Sequence, residues 1–414
     1  MVNNYQDSYE TDILIVGSGV IGCCLAIALA NVGLTVTIID KISASAQMGA
    51  RFDGRASAIA ATPQKMLYQI GVWQKLNNFS TPIKDIRVVD GNSNFFLHYD
   101  HADVECEALG FMVENRHFRQ ACMAKIQKNK NIYFIAPTQI DQITFLPHEV
   151  NATLINGAKI KTSLVIGADG RASKIRELAG INCVKRSYSQ TAIVLSVNHD
   201  LPHYNTAYER FLPGGPFAIL PLRSNENKNP RSSIVWTEKS ELAEIILNLS
   251  PKEFENEFKW RFGDHLGGFE FFGSREAYPL SLQYAEKIIS NRLALIGDAA
   301  HGIHPIAGQG LNLGLRDVAT LAEVLADGKR LGLDIGTHNI LQKYQKWRRF
   351  DSATMLAITD SINRIFSNDI WPLKLARNIS LAAINKVDPV KKFFMLQAMG
   401  SAGNLPRLLK GQGL

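Results

Sequence analysis

Cysteine is scarce in this 414-residue sequence, and none of the five cysteines stands in C-x-x-C spacing. Their number is odd, and Cys23 and Cys24 are adjacent within one apolar stretch. A sequence of this kind lacks the pattern of a disulfide framework and of a structural zinc site. It predicts reduced thiols, a cytoplasmic location and no bound metal.

Charge is missing from one long stretch, since residues 13–39 contain no Asp, Glu, Lys or Arg. A run of this length raises two alternatives, a transmembrane helix and a signal peptide. Glycines interrupt the run, a β-branched segment (35–39) closes it, and acidic rather than basic residues precede it. We therefore predict a strand, a helix and a second strand buried in a globular protein.

The sequence also lacks nucleic-acid motifs, internal repeats and low-complexity tracts. Between residues 191 and 262 it has no paired carboxylates, no Ser-His-Asp set and no metal-ligand spacing. Its composition, 46% hydrophobic and 20% charged, is ordinary for a globular protein, and its length suits one large domain or two interleaved ones. Chemistry is therefore not expected from side chains of the 191–262 region.

The first forty residues carry the G-x-G-x-x-G fingerprint of a dinucleotide-binding turn between a strand and a helix. Gly17 allows the tight turn, Gly19 lets the backbone approach a pyrophosphate, and Gly22 lets the helix lie close to the strand. The phosphate charge would sit at the positive N-terminus of the helix. Asp40 ends the second strand and is placed to accept a hydrogen bond from a ribose 2′-hydroxyl.

A loop rich in Ser, Ala and Gly follows over residues 41–54, and a helix is predicted behind it over 56–70. Arg51 and Arg55 lie at the start of this helix, where a positive charge opposes the helix dipole. Either these arginines contact a phosphate or a ring edge of the dinucleotide, or they are solvated surface residues.

Two more apolar strands run into an acidic turn. Residues 163–167 lead into Asp169-Gly170, and residues 292–296 lead into Gly297-Asp298. An acid at the carboxyl end of a strand in an open α/β sheet points into the crevice where ligands bind. Taken alone, Asp169-Gly170 is equally compatible with a simple turn.

The second acidic turn opens a glycine-rich loop, residues 299–312, and a helix is predicted after it over 313–326. The glycines suit close approach of the backbone to a ligand, and the unpaired N–H groups of the helix suit a ligand that becomes negative. A metal site at His301 and His304 is the less favoured interpretation, because no cysteine or acidic ligand stands nearby at helical spacing.

The middle of the chain has the pattern of an antiparallel sheet, with short strands separated by Pro/Gly turns. We predict strands over 192–197, 208–212, 217–222 and 233–236, and a hairpin of 86–90 with 95–99. Further predictions are a strand over 132–136, a hairpin at Asn156-Gly157, and helices over 114–128, 241–249 and 251–262. The sheet is expected to form a second layer or domain.

Positive charge is concentrated at the C-terminus. Residues 371–414 contain seven Lys or Arg and one acid, Asp388, so they carry +6 of the net charge of +7. The same segment contains Trp371 and the run Phe393-Phe394-Met395. Two interpretations stay open: an amphipathic surface that touches anionic lipid or an acidic partner, and a packed helix with solvated lysines.

Three separated motifs together resemble the FAD-dependent aromatic hydroxylases of the para-hydroxybenzoate hydroxylase group. They are Gly17 to Gly22 with Asp40, Gly167-Ala168-Asp169-Gly170 with Ser173 and Arg176, and Gly297-Asp298 with His304 to Asp317. The last motif most resembles the ubiquinone-biosynthesis hydroxylase branch, and the sequence departs from it nowhere. The resemblance spans residues 10–350, whereas the segment after 370 is generic.

This resemblance implies a mixed α/β fold, in which a Rossmann-like FAD-binding domain is interleaved with an antiparallel-sheet substrate domain. The FAD-binding domain would comprise residues 1–80, 100–180 and 285–350. The substrate domain would comprise residues 81–99 and 181–284, and residues 351–414 would form a C-terminal helical segment.

The resemblance also implies the site residues. The cofactor ligands would be Gly17, Gly19, Gly22, Asp40, Lys41, Arg55, Arg116, Asp169, Asp298, Gly308, Gly310, Leu311 and Asn312. The catalytic residues would be Pro305, Gly310, Leu311 and Asn312, and the substrate wall would be Phe217, Ile219 and Pro221. Asp40 would hold the adenosine ribose and Asp298 the ribityl chain. The segment 310–312 would face the pyrimidine edge, where reduction of the flavin places negative charge.

The implied reaction is hydroxylation of a polyprenylated phenol in ubiquinone biosynthesis, with NAD(P)H and O₂ as co-substrates and a flavin C4a-hydroperoxide as oxygen donor. A second G-x-G-x-x-G unit is missing, so the nicotinamide is expected to visit transiently. One alternative is a reductase or oxidase of the same fold, similar to geranylgeranyl reductases. Another is a flavin-bearing assembly subunit of a quinone-biosynthesis complex. The membrane origin of such a substrate would suit peripheral binding at the inner membrane, and no nucleic-acid partner is expected.

Overall fold

The computed structural model describes residues 7–49, 54–91, 93, 96–224, 229–302, 309–349 and 387–414. Its strands are β1 (Ser8–Val16), β2 (Val36–Ile39), β3 (Ala56–Ala60), β4 (Ser80–Ile83), β5 (Asp85–Asp90), β6 (Phe96–Asp100), β7 (Gly110–Glu114), β8 (Ile132–Ile135), β9 (Ile140–Phe145), β10 (Val150–Leu154), β11 (Lys159–Gly167), β12 (Cys183–His199), β13 (Thr206–Leu212), β14 (Gly215–Leu222), β15 (Arg231–Lys239), β16 (Phe269–Ala285), β17 (Ile289–Ser290), β18 (Leu293–Leu295) and β19 (His301–Gly302). Its helices are α1 (Val20–Asn31), α2 (Ala44–Gln47), α3 (Ala61–Gln69), α4 (Trp73–Leu76), α5 (Asn115–Ile126), α6 (Lys174–Leu178), α7 (Ser240–Leu247), α8 (Pro251–Phe262), α9 (Gln309–Arg330), α10 (338–349) and α11 (Asp388–Ala398).

The glycine fingerprint belongs to a mostly parallel first sheet, ordered β17-β18-β11-β1-β2-β8. β1 lies inside it, with Leu14 opposite Val165 of β11 on one side and opposite Thr37 of β2 on the other. β18 and β8 continue the sheet in parallel, and β9 and β10 add an antiparallel hairpin to β11. The parallel strands come from three separated stretches of chain, so the predicted Rossmann-like layer is confirmed.

The uncharged run near the N-terminus forms β1, α1 and β2. α1 has 12 residues, and those from Gly22 to Ala30 are buried against the first sheet and against α5 and α9. A helix enclosed on all sides is apolar all round, whereas a bilayer span needs about 20 apolar residues. Within the described ranges, no helix is both long and apolar enough to cross a membrane.

The second sheet is ordered β19-β16-β12-β15-β14-β13-β5-β6 and is antiparallel except where β13 meets β5. It contains the four predicted strands in β12 to β15, and the predicted hairpin is β5 with β6. β16 was not predicted, because a Gly-Ser-Arg-Glu segment breaks its alternation of apolar and polar residues. Its 17 residues are held instead by long antiparallel pairing with β12.

Helices α7 and α8 cover one face of the second sheet. Phe258 of α8 meets Phe217 of β14 at a ring-centroid distance of 5.9 Å, and Phe254 meets Trp236 of β15 at 5.8 Å. α8 begins at Pro251 with Ser250 as its N-cap, as the Ser-Pro start of its sequence predicts, and Glu253 completes a capping box. This face of the sheet is therefore a closed aromatic core.

A small third sheet, β3-β7-β4, contacts both other layers, since β3 meets α9 while β4 and β7 meet β14. The helix predicted over 56–70 is wrong over its first five residues, because residues 56–60 form β3 and the helix α3 begins at Ala61. The Ala-Ser-Ala-Ile-Ala sequence has little preference of its own, and pairing of Ala58 with Met112 of β7 decides its conformation. The helix-dipole argument therefore does not apply to Arg55.

The hairpin predicted at Asn156-Gly157 is confirmed as the connection between β10 and β11, where Thr153 pairs with Lys159. The domain limits stay a prediction, because membership of a sheet does not by itself define a folding unit. All five cysteines lie in the described ranges and are free thiols there.

Candidate active site

The turn after β1 has the geometry that the glycine fingerprint requires. Gly17 has φ +107°, which L side chains rarely adopt, and a Cβ there would lie 2.4 Å from the carbonyl oxygen of Ala168. A Cβ on Gly22 would lie 2.1 Å from the carbonyl oxygen of Gly17. A Cβ on Gly19, in contrast, would meet no atom of the described residues within 4 Å. The turn is tight on its inner side and open at Gly19, which leaves room for a phosphate.

α1 begins at this open side. Its N-cap is Gly19, and no side chain of the described residues caps it. The first N–H groups of α1 are therefore available to an anion, which the helix dipole also favours. Asp40 supports the turn, because its Oδ2 accepts hydrogen bonds from the N–H and the hydroxyl of Ser18 at 2.6 and 2.7 Å. Its Oδ1 accepts from the N–H of Ile42 at 2.8 Å, and Lys41 beside it is exposed.

The turn that carries Asp298 lies next to the start of α1. The Asp298 side chain is 47% exposed, and its Oδ2 lies 3.3 Å from Nε of Arg171. A Cβ on Gly314 of α9 would lie 2.8 Å from Cδ1 of Ile21 and 3.4 Å from Cα of Gly297. This close approach of α9 to the first turn of α1 brings Asp298 to the same crevice as the glycine turn.

Asp169 occupies the end of β11 at the same crevice. Its Oδ2 accepts from the N–H of Ile175 at 3.2 Å, whereas its buried Oδ1 has no hydrogen-bond partner among the described residues. A buried carboxylate oxygen without a partner costs free energy, so a ligand hydroxyl or a water is expected there. Arg176 ties the two acidic turns together by donating to the carbonyl oxygens of Ala299 (2.9 Å) and Arg171 (2.8 Å).

The side chain of Asn312 fixes the first turn of α9 to β3. The described part of α9 begins at Gln309, whereas the sequence predicted a helix start at residue 313. The segment 310–312 is therefore helical. Oδ1 of Asn312 accepts from the N–H of Ala60, and its Nδ2 donates to the carbonyl oxygen of Ala58, both at 2.9 Å. β3 is the edge strand of its sheet, and the amide of Asn312 completes its hydrogen bonding as a neighbouring strand would.

Arg116 lies in the first turn of α5, as predicted, and its Nε donates to Oε2 of Glu114 at 2.7 Å. Oε1 of the buried Glu114 lies 3.1 Å from Nη1 of Arg231 in β15. Arg55 is exposed just before β3, and its carbonyl oxygen accepts from the N–H of Asn115 at 3.0 Å. Arg55 and Arg116 therefore lie on adjoining segments, although they are 61 positions apart in the sequence.

Several expected site residues lie outside the described residues. They are Pro305, Gly308 and His304, within 303–308, and Arg51, within 50–53. His301 is described and buried, and its Nε2 lies 2.8 Å from Oδ2 of Asp317.

β14 directs alternate side chains to opposite faces of the second sheet. The predicted substrate wall named Phe217, Ile219 and Pro221. Phe217 and Ile219 instead belong to the aromatic core under α8, where Phe217 is 1% exposed. Leu220 and Leu222 point the other way, into a cluster with residues of β3, β4 and β7. The face of β14 that meets β3, β4 and β7 is therefore the face of Ala218 and Leu220. Pro221 lies on the same face as Phe217.

Sequence reasoning missed Arg171 and the hydrogen bonds of Asn312 to β3. Arg171 Nη1 donates to the carbonyl oxygen of Ser281 at 2.9 Å, besides its contact with Asp298. Its only signal in the sequence was a positive charge directly after the Asp169-Gly170 turn. Asn312 and Ala58 are separated by 254 positions, and no local pattern relates them.

Together these features fit an FAD molecule. The open, uncapped helix start at Gly19 suits the pyrophosphate, and the unpartnered Oδ1 of Asp169 suits a polar group of the cofactor. Asp40 follows β2 and Asp298 follows β18, so they stand on either side of the β1 turn at the carboxyl edge of the first sheet, as a long dinucleotide requires.

Comparison with known proteins agrees with this geometry. The profile of the FAD-binding domain family matches residues 10–356. Ubiquinone hydroxylase UbiL of Rhodospirillum rubrum is 48% identical over 403 residues, which cover 97% of this chain and 92% of the relative. The 3-demethoxyubiquinol 3-hydroxylase of Escherichia coli is 31% identical over 94% of this chain and 98% of its own length.

Among solved structures, p-nitrophenol 4-monooxygenase PnpA of Pseudomonas putida superimposes with a TM-score of 0.79. The alignment covers 97% of this chain and 100% of that protein at 18% sequence identity. At this identity, the likeness shows a common fold.

Proposed function

The chain belongs to the family of FAD-binding hydroxylases that these relatives represent, and from this membership we propose that it hydroxylates the ring of a polyprenylated phenol in ubiquinone biosynthesis. The observation that carries the proposal is the meeting of the open Gly19 turn, the Asp298 turn and the first turn of α9 at one crevice. The two relatives named as ubiquinone hydroxylases support the substrate class. Bound FAD, reduced by NAD(P)H, would supply the activation of O₂ that ring hydroxylation needs.

The protein's first task in this reaction is to bind the cofactor in one orientation. The N–H groups at the start of α1 would hold the pyrophosphate, with Gly19 giving the space for it. Asp40 would accept from the adenosine ribose and Asp298 from the ribityl chain. Arg116 and Arg55 would lie along the cofactor, and Lys41 would stand at the adenosine end.

The second task is to stabilise the negative charge of the reduced flavin. Gly310, Leu311 and Asn312 lie at the N-terminus of α9, where the helix dipole is positive. Asn312 is held by two hydrogen bonds to β3, so this turn cannot swing away when charge develops. Dipoles that are oriented before the reaction stabilise a developing charge without reorganising.

The third task is to keep the reacting ring dry and in place. We assign the substrate wall to Ala218 and Leu220, since this face of β14 meets β3, β4 and β7. Leu220 and Leu222 form an apolar cluster there with Ile83 and Met112. An apolar wall excludes water and orients the phenol while the protein contributes no nucleophile of its own.

The reaction is tested with purified holoprotein, NADPH or NADH, O₂ and a short-chain prenylated phenol, with the product analysed by mass spectrometry. We expect a product heavier by one oxygen atom, with ¹⁸O incorporated from ¹⁸O₂. Asn312→Leu should slow product formation, because it removes both hydrogen bonds to β3. Asn248→Leu, at the exposed C-terminal end of α7, is the matched control and should leave the rate unchanged.

Consumption of NAD(P)H and O₂ with hydrogen peroxide as the only product, over a range of prenylated phenols, would contradict the proposal. It would favour an oxidase of the same fold. Normal hydroxylation by Asn312→Leu would contradict the role assigned to the first turn of α9.

We propose further that the enzyme meets its prenylated substrate at a membrane surface, through α11. This helix is anchored by Met395 and Met399, while Phe393 and Phe394 on its outer side are 55% and 37% exposed. Val390 and Leu396 are exposed beside them. The carbonyl oxygen of Ala398 accepts from Nε2 of Gln309 at 3.4 Å, so the helix ends beside the first turn of α9. Exposed aromatic residues in a segment of charge +6 suit insertion at the surface of an anionic bilayer.

Membrane binding is tested by sedimentation with vesicles that contain about one-third anionic lipid, a composition that attracts basic segments. We expect the double variant Phe393→Ser with Phe394→Ser to bind vesicles more weakly and to hydroxylate a long-chain phenol in vesicles more slowly. Its rate with a short-chain phenol in solution should stay the same. Trp260→Ser, at an exposed position of α8, is the control. Unchanged vesicle binding, or a change in oligomeric state in its place, would contradict this role of α11.

A further inference from the structure

A fully buried ionic cluster lies directly behind the Gly297-Asp298 turn. Asp317 of α9 and Arg348 of α10 each have 0% exposure, and Arg348 Nε lies 2.6 Å from Asp317 Oδ1. His301 Nε2 lies 2.8 Å from Asp317 Oδ2 on the other side. None of these three residues belongs to the set of cofactor ligands proposed above.

The same carboxylate holds the acidic turn itself. The N–H of Gly297 donates to Oδ2 of Asp317 at 2.8 Å. Gly297 has φ +58°, and Asp298 follows it directly. Tyr344 of α10 donates its hydroxyl to the carbonyl oxygen of Leu295, the last residue of β18, at 2.9 Å. The end of β18 and the turn after it are thus fixed to α9 and α10 by buried hydrogen bonds.

The carboxyl group of Asp317 is ionised near neutral pH, because its pKa is lowered. Burial alone would raise the pKa of Asp317, but electrostatic attraction to the nearby His301 and Arg348 and the hydrogen bond from Arg348 lower this pKa overall. An ionised carboxylate accepts a stronger hydrogen bond from an N–H than a neutral group does. This hydrogen bond holds the peptide N–H of Gly297 toward Asp317, and Asp298 is the next residue of the turn.

We propose that Asp317 is a positioning residue of the FAD site, which acts through the N–H of Gly297 to aim Asp298 at the ribityl chain. The proposal rests on the FAD contact proposed for Asp298. It does not depend on which phenol is the substrate.

The test is a double-mutant cycle on FAD affinity, measured by dilution of the holoprotein with flavin fluorescence as the readout. Asp317→Asn and Asp298→Asn should each raise the Kd for FAD about tenfold or more, the usual size of one charge-assisted hydrogen bond. If Asp317 acts through Asp298, the double variant binds FAD no more weakly than Asp298→Asn alone. A second cycle pairs Asp317→Asn with Asp40→Asn at the adenosine end, and there the two effects should multiply.

Asp334→Asn is the matched control. It removes the ion-pair partner of the buried Arg292, which lies just before β18, at the opposite end of that strand from Gly297. This variant should lower the melting temperature and leave the Kd for FAD unchanged. Arg348→Lys is the second variant if Asp317→Asn does not fold, since it keeps the charge and loses the Nε–H contact. It enters the same cycles.

Two results would overturn the proposal. One is that Asp317→Asn and Asp298→Asn raise the Kd for FAD by factors that multiply in the double variant. The other is that Asp334→Asn raises the Kd for FAD as much as Asp317→Asn does. Failure to hydroxylate any phenol, with both cycles as expected, would count against the proposed function alone.

Discussion

At the scale of single residues, the glycines of the first turn carry different constraints. Gly17 is required by its backbone conformation and by the nearby carbonyl oxygen of Ala168. Gly22 is required because the start of α1 lies against Gly17. Gly19 has an ordinary φ of −59° and open space on its Cβ side, so nothing in the described protein demands a glycine there. We propose that the requirement for glycine at this position comes from the ligand.

Two alanine variants separate these roles. Gly22→Ala should lower the free energy of unfolding by about 3 kcal/mol or more, because its methyl group would overlap the backbone of Gly17. Gly19→Ala should change the free energy of unfolding by less than about 1 kcal/mol and raise the Kd for FAD, because its methyl group would occupy the space of the pyrophosphate. Thermal unfolding and flavin titration measure the two effects. Wild-type FAD affinity in Gly19→Ala would contradict this placement of the phosphate.

The ion pair of Asp334 with Arg292 predicts a dependence of stability on pH. The hydrogen bond from Arg292 lowers the pKa of Asp334, and the N–H of Gly336 adds to this effect. A carboxyl with a lower pKa in the folded protein stabilises it above the unfolded pKa of about 3.9, and this contribution is lost as the pH falls toward the folded pKa. The free-energy difference between wild type and Asp334→Asn should therefore be constant from pH 7 to about 5 and shrink below about 4. Urea unfolding at these pH values measures it, and a difference that does not change would count against the pair.

At the scale of elements, β14 separates the two roles of the second sheet. One face closes the aromatic core with α8, and the other meets the layer that contains β3. The local sequence shows that side chains of β14 alternate between its two faces. It does not show which face meets which layer, because both faces are apolar. Only the position of α8 on one side decides it.

Paired variants of β14 test this assignment. Phe217→Ala should cost about 3–5 kcal/mol of stability, the usual range for a buried phenylalanine, and leave the KM for the phenol unchanged in the protein that stays folded. Leu220→Ala should cost less stability, since Leu220 is only half-buried, and should raise the KM. Steady-state kinetics with urea unfolding measure both. A KM that rises in Phe217→Ala but not in Leu220→Ala would show that the substrate wall is the face of Phe217, as the sequence predicted.

At the scale of the whole molecule, one buried carboxylate connects the layers. Glu114, at the end of β7, contacts Arg116 of α5 on one side and Arg231 of the second sheet on the other. The ring of Phe272 in β16 lies 4.6 Å from the guanidinium carbon of Arg231. A buried acid in this position links the proposed cofactor contact to the sheet to which we assign the substrate wall.

Removing this carboxylate should destabilise the protein as a whole. Glu114→Gln should cost about 3–5 kcal/mol, the range for breaking one side of a buried ion pair. The double variant Glu114→Gln with Arg231→Met should recover part of this loss, because the buried positive charge is then removed as well. Urea unfolding of the wild type, both single variants and the double variant measures the coupling. Additive losses would show that the pair contributes nothing as a pair.

The parts of the protein that could be predicted from sequence are those set by neighbours along the chain. The tight turn at Gly17, the N-cap at Ser250 and the hairpin at Asn156-Gly157 each depend on residues within a few positions of one another. β3 could not be predicted in this way, since its short alanine-rich sequence is a strand only because β7 pairs with it. The same holds for β16, which is held by its long pairing with β12.

By itself, the sequence determined that this protein has a buried strand–turn–helix unit open to a phosphate, two more strands ending in acids, and the motifs of an FAD-binding hydroxylase. Local backbone conformation and short-range periodicity are sufficient for the first two of these features, whereas the motifs indicate the family by resemblance. Only the tertiary structure decided that Asn312 completes the edge of β3, that β14 turns the face of Ala218 and Leu220 toward β4 and β7, and that Asp317 holds the turn of Asp298. Each of these is a contact between elements far apart in the sequence, and its geometry exists only after the layers have packed together.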